Sequence, residues 1–163
     1  MEEKQVMVVG IDDSDFSLYA LEWTLDHLVG PTTDDSIFKL VLVYAKPSVL
    51  SAAGLLAGPG IHRVADVLPI VDSDLKRTTT KIVEYAKELC IKKSVKDPIV
   101  EVVDGDPRNV LCDAVEKHHA SILVVGSHGY GPIKRAVLGS VSDYCAHNAH
   151  CSVMIVKKPK TKQ

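Results

Sequence analysis

The sequence predicts a doubly wound α/β domain built on a parallel sheet. Three observations lead there. Short runs that are apolar at consecutive positions recur along the chain, as in strands covered on both faces. Stretches with helical apolar spacing follow them, so strands and helices alternate. Two of the strand ends run into turns rich in Gly, Ser and Asp, at Gly10–Ser14 and from Gly126 onward.

The elements can be justified in order. Val6 to Ile11 is β-branched and apolar, and Asp13 or Ser14 can cap the helix that follows. Leu18, Leu21, Leu25 and Leu28 give that helix its inner stripe, and Gly30-Pro31 stops it. Phe38 to Ala45 is the second strand, ended by Pro47. Residues 47–71 show no sustained period and contain Gly54, Gly58-Pro59-Gly60 and Pro69. They are expected to form a long loop that covers a pocket or a partner surface. A helix follows over about residues 72–94, with Leu75, Thr79, Ile82, Ala86 and Leu89 on one face.

Pro98 to Asp104 is the third strand. Asp106-Pro107 reads as a helix cap followed by the first helical position. Val110, Leu111, Ala114, Val115 and His118 line the inner face of that helix. Ser121 to Gly126 is the fourth strand, with Ile122-Leu123-Val124-Val125 as its apolar centre. Gly139-Ser140 opens a short helix with Val141, Cys145 and Ala149 inward, and Ser152 to Val156 is the fifth strand. A basic tail, residues 157–163, closes a single domain that spans residues 1–163.

The 163 residues are 46% apolar and 25% charged, enough for an ordinary core. A net charge of −2 removes the electrostatic case for nucleic-acid binding. No run approaches the roughly 18 apolar residues of a membrane span. The charged start, Met1 to Gln5, lacks a signal-peptide apolar block. A cytoplasmic or nuclear location is the expectation. Cys90, Cys112, Cys145 and Cys151 include no C-x-x-C pair and read as reduced, packed thiols. Cys145, His147, His150 and Cys151 crowd together, but helical spacing does not bring them to one point as zinc requires.

In a doubly wound sheet, ligands sit outside the C-terminal strand ends, where the winding direction reverses. The segment after the fourth strand suits a phosphate. Its glycines allow close backbone approach. Gly139-Ser140 opens a helix whose free N–H groups attract anions, and Ser140 and Ser142 add hydroxyls. Lys134 and Arg135 are unopposed by any carboxylate from Ser127 to Leu138. A glycine-rich connection to an ordinary capped helix, with Ser140 as cap, remains the alternative. Neither the dinucleotide fingerprint nor a P-loop is present.

Gly126-x2-Gly129-x9-Gly139-Ser140 resembles the G-2x-G-9x-G-[S/T] nucleotide motif of the universal stress protein family. The Gly10-Ile11-Asp12-Asp13-Ser14 turn, the element order and the last apolar strand resemble it too, over about residues 4–158. The resemblance implies a Rossmann-like five-stranded parallel sheet of order 3-2-1-4-5, with helices on both faces. It implies adenine against Gly10 and the backbone of Ala45, with Asp12 on the ribose hydroxyls. Val125, Gly126 and Gly129 then line the ribose and phosphate side, while Gly139, Ser140, Val141 and Ser142 hold the phosphates. The resemblance implies ATP or AMP as the bound ligand, and Asp12-Asp13 offers oxygen ligands for Mg²⁺ beside a triphosphate. On its residues alone, Asp12 also fits a helix cap, the less favoured reading, and His128 reads first as a solvent-facing loop residue and second as a phosphate donor.

Function follows in descending order of support. The first reading is a nucleotide-binding regulatory protein of the stress response. The second is a chaperone-like or scaffold protein acting through its surface, including the apolar stretch Val49 to Leu56. The third is a slow ATPase, for which no catalytic residue can be named. In the implied strand order the fifth strand lies at an edge. Ser152, Val153, Met154, Ile155 and Val156 are then expected to pair with a second copy in a homodimer.

Overall fold

The computed structural model describes residues 3–30, 36–57, 64–128 and 138–159. Its strands are β1 (Gln5–Ile11), β2 (Phe38–Lys46), β3 (Ile99–Asp104), β4 (Ile122–Gly126) and β5 (Ser152–Val156). They form one sheet of order β3-β2-β1-β4-β5, parallel throughout. The helices are α1 (Asp15–Thr24), α2 (Val49–Ala57), α3 (Val64–Lys92), α4 (Pro107–His118) and α5 (Ser140–Asn148). The fold class and strand order expected from the sequence are those observed. None of the helices described is long and apolar enough to cross a membrane.

Alternation along the strands divides the core in two. Met7, Val9, Leu42, Tyr44 and Val124 face one way, toward Leu21 and Leu25 after β1 and toward Ile82 and Ala86 of α3. Val8, Val41, Val43, Leu123 and Val125 face the other way, toward Val110, Leu111 and Ala114 of α4 and Cys145 of α5. Each strand therefore reads as continuously apolar, because both of its faces are covered. The register sets Val9 beside Leu42 on one side and Val124 on the other. The C-terminal ends of β1 and β4 thus emerge side by side where the winding reverses.

Local chemistry accounts for most element ends. Ser14 caps α1 by accepting the Ser17 N–H at 3.2 Å. Asp106 caps α4 through the Arg108 N–H at 2.9 Å, with Pro107 at the first position. After α1 the chain continues as one π turn over Leu25–Val29 and stops at Gly30, whose φ of 67° suits glycine.

Residues 47–71 correct the expectation of a long loop. Val49–Ala57 is helical, and α3 begins at Val64, before its Pro69. Ser48 starts α2: its hydroxyl accepts the Ser51 N–H at 3.1 Å, and its carbonyl accepts the Ala52 N–H at 3.0 Å. Pro69 removes a single ladder bond near the start of a 29-residue helix, and burial of residues such as Val71 outweighs that loss. Residues 58–63, which carry Gly58-Pro59-Gly60, lie outside the described residues, as do residues 160–163 of the basic tail. Lys158 of the tail approaches Asp15 at 3.8 Å.

Glu101 on β3 ties that edge strand to the end of α4. It accepts from His118 Nε2 at 2.8 Å and from Lys117 Nζ at 3.1 Å. Burial alone would raise its pKa, but these hydrogen bonds and charges outweigh burial and hold it below the ordinary 4.5. A depressed folded-state pKa means that this stabilisation is present above the unfolded carboxyl's value. It is lost as pH falls through the folded one. Glu101→Gln is expected to lower stability at neutral pH by up to about 1 kcal/mol. The difference from the parent should vanish in acid, as read from urea unfolding at a series of pH values.

Candidate functional site

The first strand end is held by its own side chains. Asp12 Oδ1 accepts the Ser14 N–H at 2.7 Å and the Ser14 hydroxyl as well. The Asp12 N–H donates to Ser17 Oγ at 2.8 Å, and Ser17 Oγ donates to the Asp12 carbonyl at 3.1 Å. Asp12 is therefore not the cap of α1; it orients Ser14, which is. Its second carboxylate oxygen has no hydrogen bond to a described residue, and the side chain is half-buried at the crevice. Below it, Tyr44 at the end of β2 is buried. Burial raises its phenol pKa, against an opposing effect of Thr79, and the charges of Asp12 and Asp13 raise it further.

The two glycines at the strand ends serve packing as well as space. A Cβ on Gly126 would lie 2.8 Å from both the carbonyl carbon and oxygen of Phe16, so the first turn of α1 rests directly on β4. A Cβ on Gly10 would meet the Leu111 methyls at 3.0 and 3.1 Å, on the opposite face. The close approach that the sequence assigned to a ligand at Gly126 is made by backbone. Ala45 stands half-buried one residue beyond Tyr44, which is paired with Ile11 at the end of β1. Val125 is buried against the α4 side of the sheet.

The second strand end carries the start of α5. The Ser127 carbonyl accepts the Gly139 N–H at 2.7 Å and lies 3.1 Å from the Ser142 hydroxyl. That hydroxyl also lies 3.1 Å from the Gly139 carbonyl. Ser142 is 2% exposed, so its side chain pins α5 to β4 and does not face an anion. Gly139, not Ser140, is the cap residue. It supplies no capping side chain, and its φ of −71° and ψ of 165° are open to any residue. Ser140 is exposed in the first turn. Among the described residues, the Asp143 N–H bonds the Gly139 carbonyl, and the N–H groups of Ser140, Val141 and Ser142 in the first turn bond none, beside the positive helix end. His128 sets its ring edge-on to Phe16, with centroids 5.1 Å apart.

The structure thus gathers Gly10, Asp12, Ala45, Val125, Gly126, Gly139, Ser140, Val141 and Ser142 at one end of the sheet. Gly129, Lys134 and Arg135 lie outside the described residues. Sequence reading missed Ser17, Ser127 and Phe16, which hold the two strand ends together. Ser17 could have been found as a hydroxyl one turn into a helix that follows an Asp-Asp-Ser turn. No group of His, Cys, Asp and Glu among the described residues could hold a metal ion. His147 instead bonds the Asp143 carbonyl, and His150 bonds Glu116.

A five-stranded parallel sheet of this order, with a helix start at its switch point, defines a Rossmann-like α/β protein. The chain belongs to the universal stress protein family, whose model matches residues 4–157. The Universal stress protein PHOS32 of Arabidopsis thaliana is 34% identical over 93% of this chain, which spans 64% of that protein's length. An Arabidopsis thaliana family member solved with AMP bound has a TM-score of 0.67 at 24% identity, covering 95% of this chain and 92% of its own. A universal stress protein solved in complex with cAMP has a TM-score of 0.62 at 24% identity, covering 95% and 98%.

The two strand-end glycines separate by how their neighbours can yield. Gly126→Ala presses on backbone and is expected to cost about 2–3 kcal/mol. Gly10→Ala presses on leucine methyls that can rotate, and is expected to cost about 1 kcal/mol or less. Denaturant unfolding of the two variants checks the order, and equal costs would contradict it.

Proposed function

We propose that the chain binds an adenine nucleotide, ATP or AMP, at the ends of β1 and β4 and acts as a nucleotide-responsive regulatory protein in the stress response. The uncapped start of α5, pinned to β4 through Ser127, carries this reading. Phosphate oxygens would accept from the N–H groups of Ser140, Val141 and Ser142, and Asp12 would offer its second oxygen to the ribose. Gly139 has no backbone need to be glycine, and as glycine it sets no side chain beside those N–H groups. AMP and cAMP in the solved relatives support the adenine. Mg²⁺ beside a triphosphate would draw on Asp12-Asp13.

Adenine nucleotide released from the denatured, purified protein is the direct measurement. Gly139→Val is expected to lower ATP and AMP affinity at least about tenfold, roughly 1.4 kcal/mol, without lowering the unfolding midpoint. Unchanged affinity in the folded variant would overturn the assignment. Asp12→Ala should weaken adenosine as well as its phosphates.

A second copy pairing along β5 completes the proposal. Among the described strands β5 pairs with β4 alone, and Val153, Met154 and Ile155 are only half-buried. Light scattering is expected to give twice the 17.7 kDa chain mass, reduced to one chain by Ile155→Lys. A monomeric parent would refute the pairing.

A further inference from the structure

The chain leaves the sheet beside the start of α5. At the end of β5 the Val156 carbonyl accepts the Ser127 N–H at 3.1 Å, and the Ser127 carbonyl accepts the Gly139 N–H at 2.7 Å. One residue beyond β4 thus joins the last residue of β5 to the residue before α5. Lys157 and Lys158 follow Val156 directly, and both are exposed. Lys158 is drawn toward α1: its Nζ lies 3.8 Å from Oδ2 of Asp15, in the first turn of that helix. The next residue, Phe16, is the one whose carbonyl rests on Gly126. The Lys158 ammonium is therefore held beside the end of β4, the strand end to which the starts of α1 and α5 are both fixed.

Among the described residues, carboxylates surround this strand end. Asp12 and Asp13 stand in the β1–α1 turn, Asp15 in the first turn of α1 and Asp143 in the first turn of α5. They repel an anion, and the repulsion grows with each phosphate that a nucleotide carries. Lys158 is the cation set among them. Its bond to Asp15 is weak, because the lysine side chain is 36% exposed and the aspartate 83%. The separation of 3.8 Å is also longer than a hydrogen bond. The ammonium can therefore exchange Asp15 for a phosphate at small cost.

We propose that Lys158 is a specificity-determining residue of the crevice: it leaves Asp15 for the outer phosphates of a nucleotide and so favours ATP over AMP. This rests on the nucleotide-binding reading above. The main-chain N–H groups of α5 are fixed in place and serve the first phosphate that reaches them. A lysine carries its point charge on a long, flexible stem and can follow a longer phosphate chain outward. Adenosine, without phosphate, gains nothing from it.

The test is titration of the full chain with ATP, AMP and adenosine, without added divalent metal. Lys158→Gln is expected to weaken ATP about threefold to tenfold, AMP by less than about twofold and adenosine not at all. Asp15→Asn is expected to strengthen ATP. Lys158→Gln then costs more in the Asp15→Asn chain than in the parent, because no ion pair opposes the transfer. Lys4→Gln removes the same charge ahead of β1, at the other end of the sheet, and is expected to leave all three affinities unchanged. A parent that binds none of the three ligands would overturn the nucleotide reading and this inference with it. A parent that binds ATP would overturn the role of Lys158 alone if Lys158→Gln weakened ATP and AMP equally or neither, or if Lys4→Gln weakened ATP as much.

Discussion

The backbone of α1 resting on Gly126 is the constraint on which the crevice depends. Any side chain there would meet the Phe16 carbonyl, an atom fixed in a helical turn. With that contact made, the β1–α1 turn is drawn against the end of β4. Asp12, Ser14 and Ser17 close the turn, and Phe16 meets His128 just beyond β4. Ser127 then fixes the start of α5 through its carbonyl. Two strand ends and one helix start become a single rigid unit, held almost wholly by short-range polar contacts.

Those contacts divide the labour between side chain and backbone. The Ser142 hydroxyl and one oxygen of Asp12 are committed to the scaffold. A buried hydroxyl left without a partner would cost on the order of 1–3 kcal/mol, so such commitments are hard to break. In the proposed site, what remains for an anion is main-chain N–H, which cannot rotate away. Donors held in place in advance lose little freedom when a ligand arrives, and that is where such a site gains affinity. Polar residues in the glycine-rich motif therefore matter first for where they hold the backbone.

Most of this was legible in the sequence, and the failures have physical reasons. The strands were readable because burial on both faces makes them continuously apolar. The caps at Ser14 and Asp106 were readable because capping is local chemistry. The named residues that are described lie at one end of the sheet, since strand order alone brings the ends of β1 and β4 together. Individual duties were not legible. Gly126 and Gly139 look alike in sequence, yet one yields to a crossing helix and the other precedes α5 in a conformation open to any residue. Residues 47–71 misled because Gly58-Pro59-Gly60 dominates the pattern, whereas Ser48 begins a helix before it and α3 begins beyond it.

The two edges of the sheet differ in the same legible way. β3 carries Glu101 and Asp104 along its six residues, and its exposed Val102 and Val103 lie between them. Antiparallel pairing of β3 with a second β3 would set carboxylates of one chain near those of the other, and like charges across strands oppose pairing. Glu101 is also held by Lys117 and His118 of its own chain. β5 carries no charged residue. Pairing it with itself about a two-fold axis would add main-chain hydrogen bonds and extend the cover over Val153, Met154 and Ile155. Charge thus guards one edge, while the other is suited to a second copy of the chain.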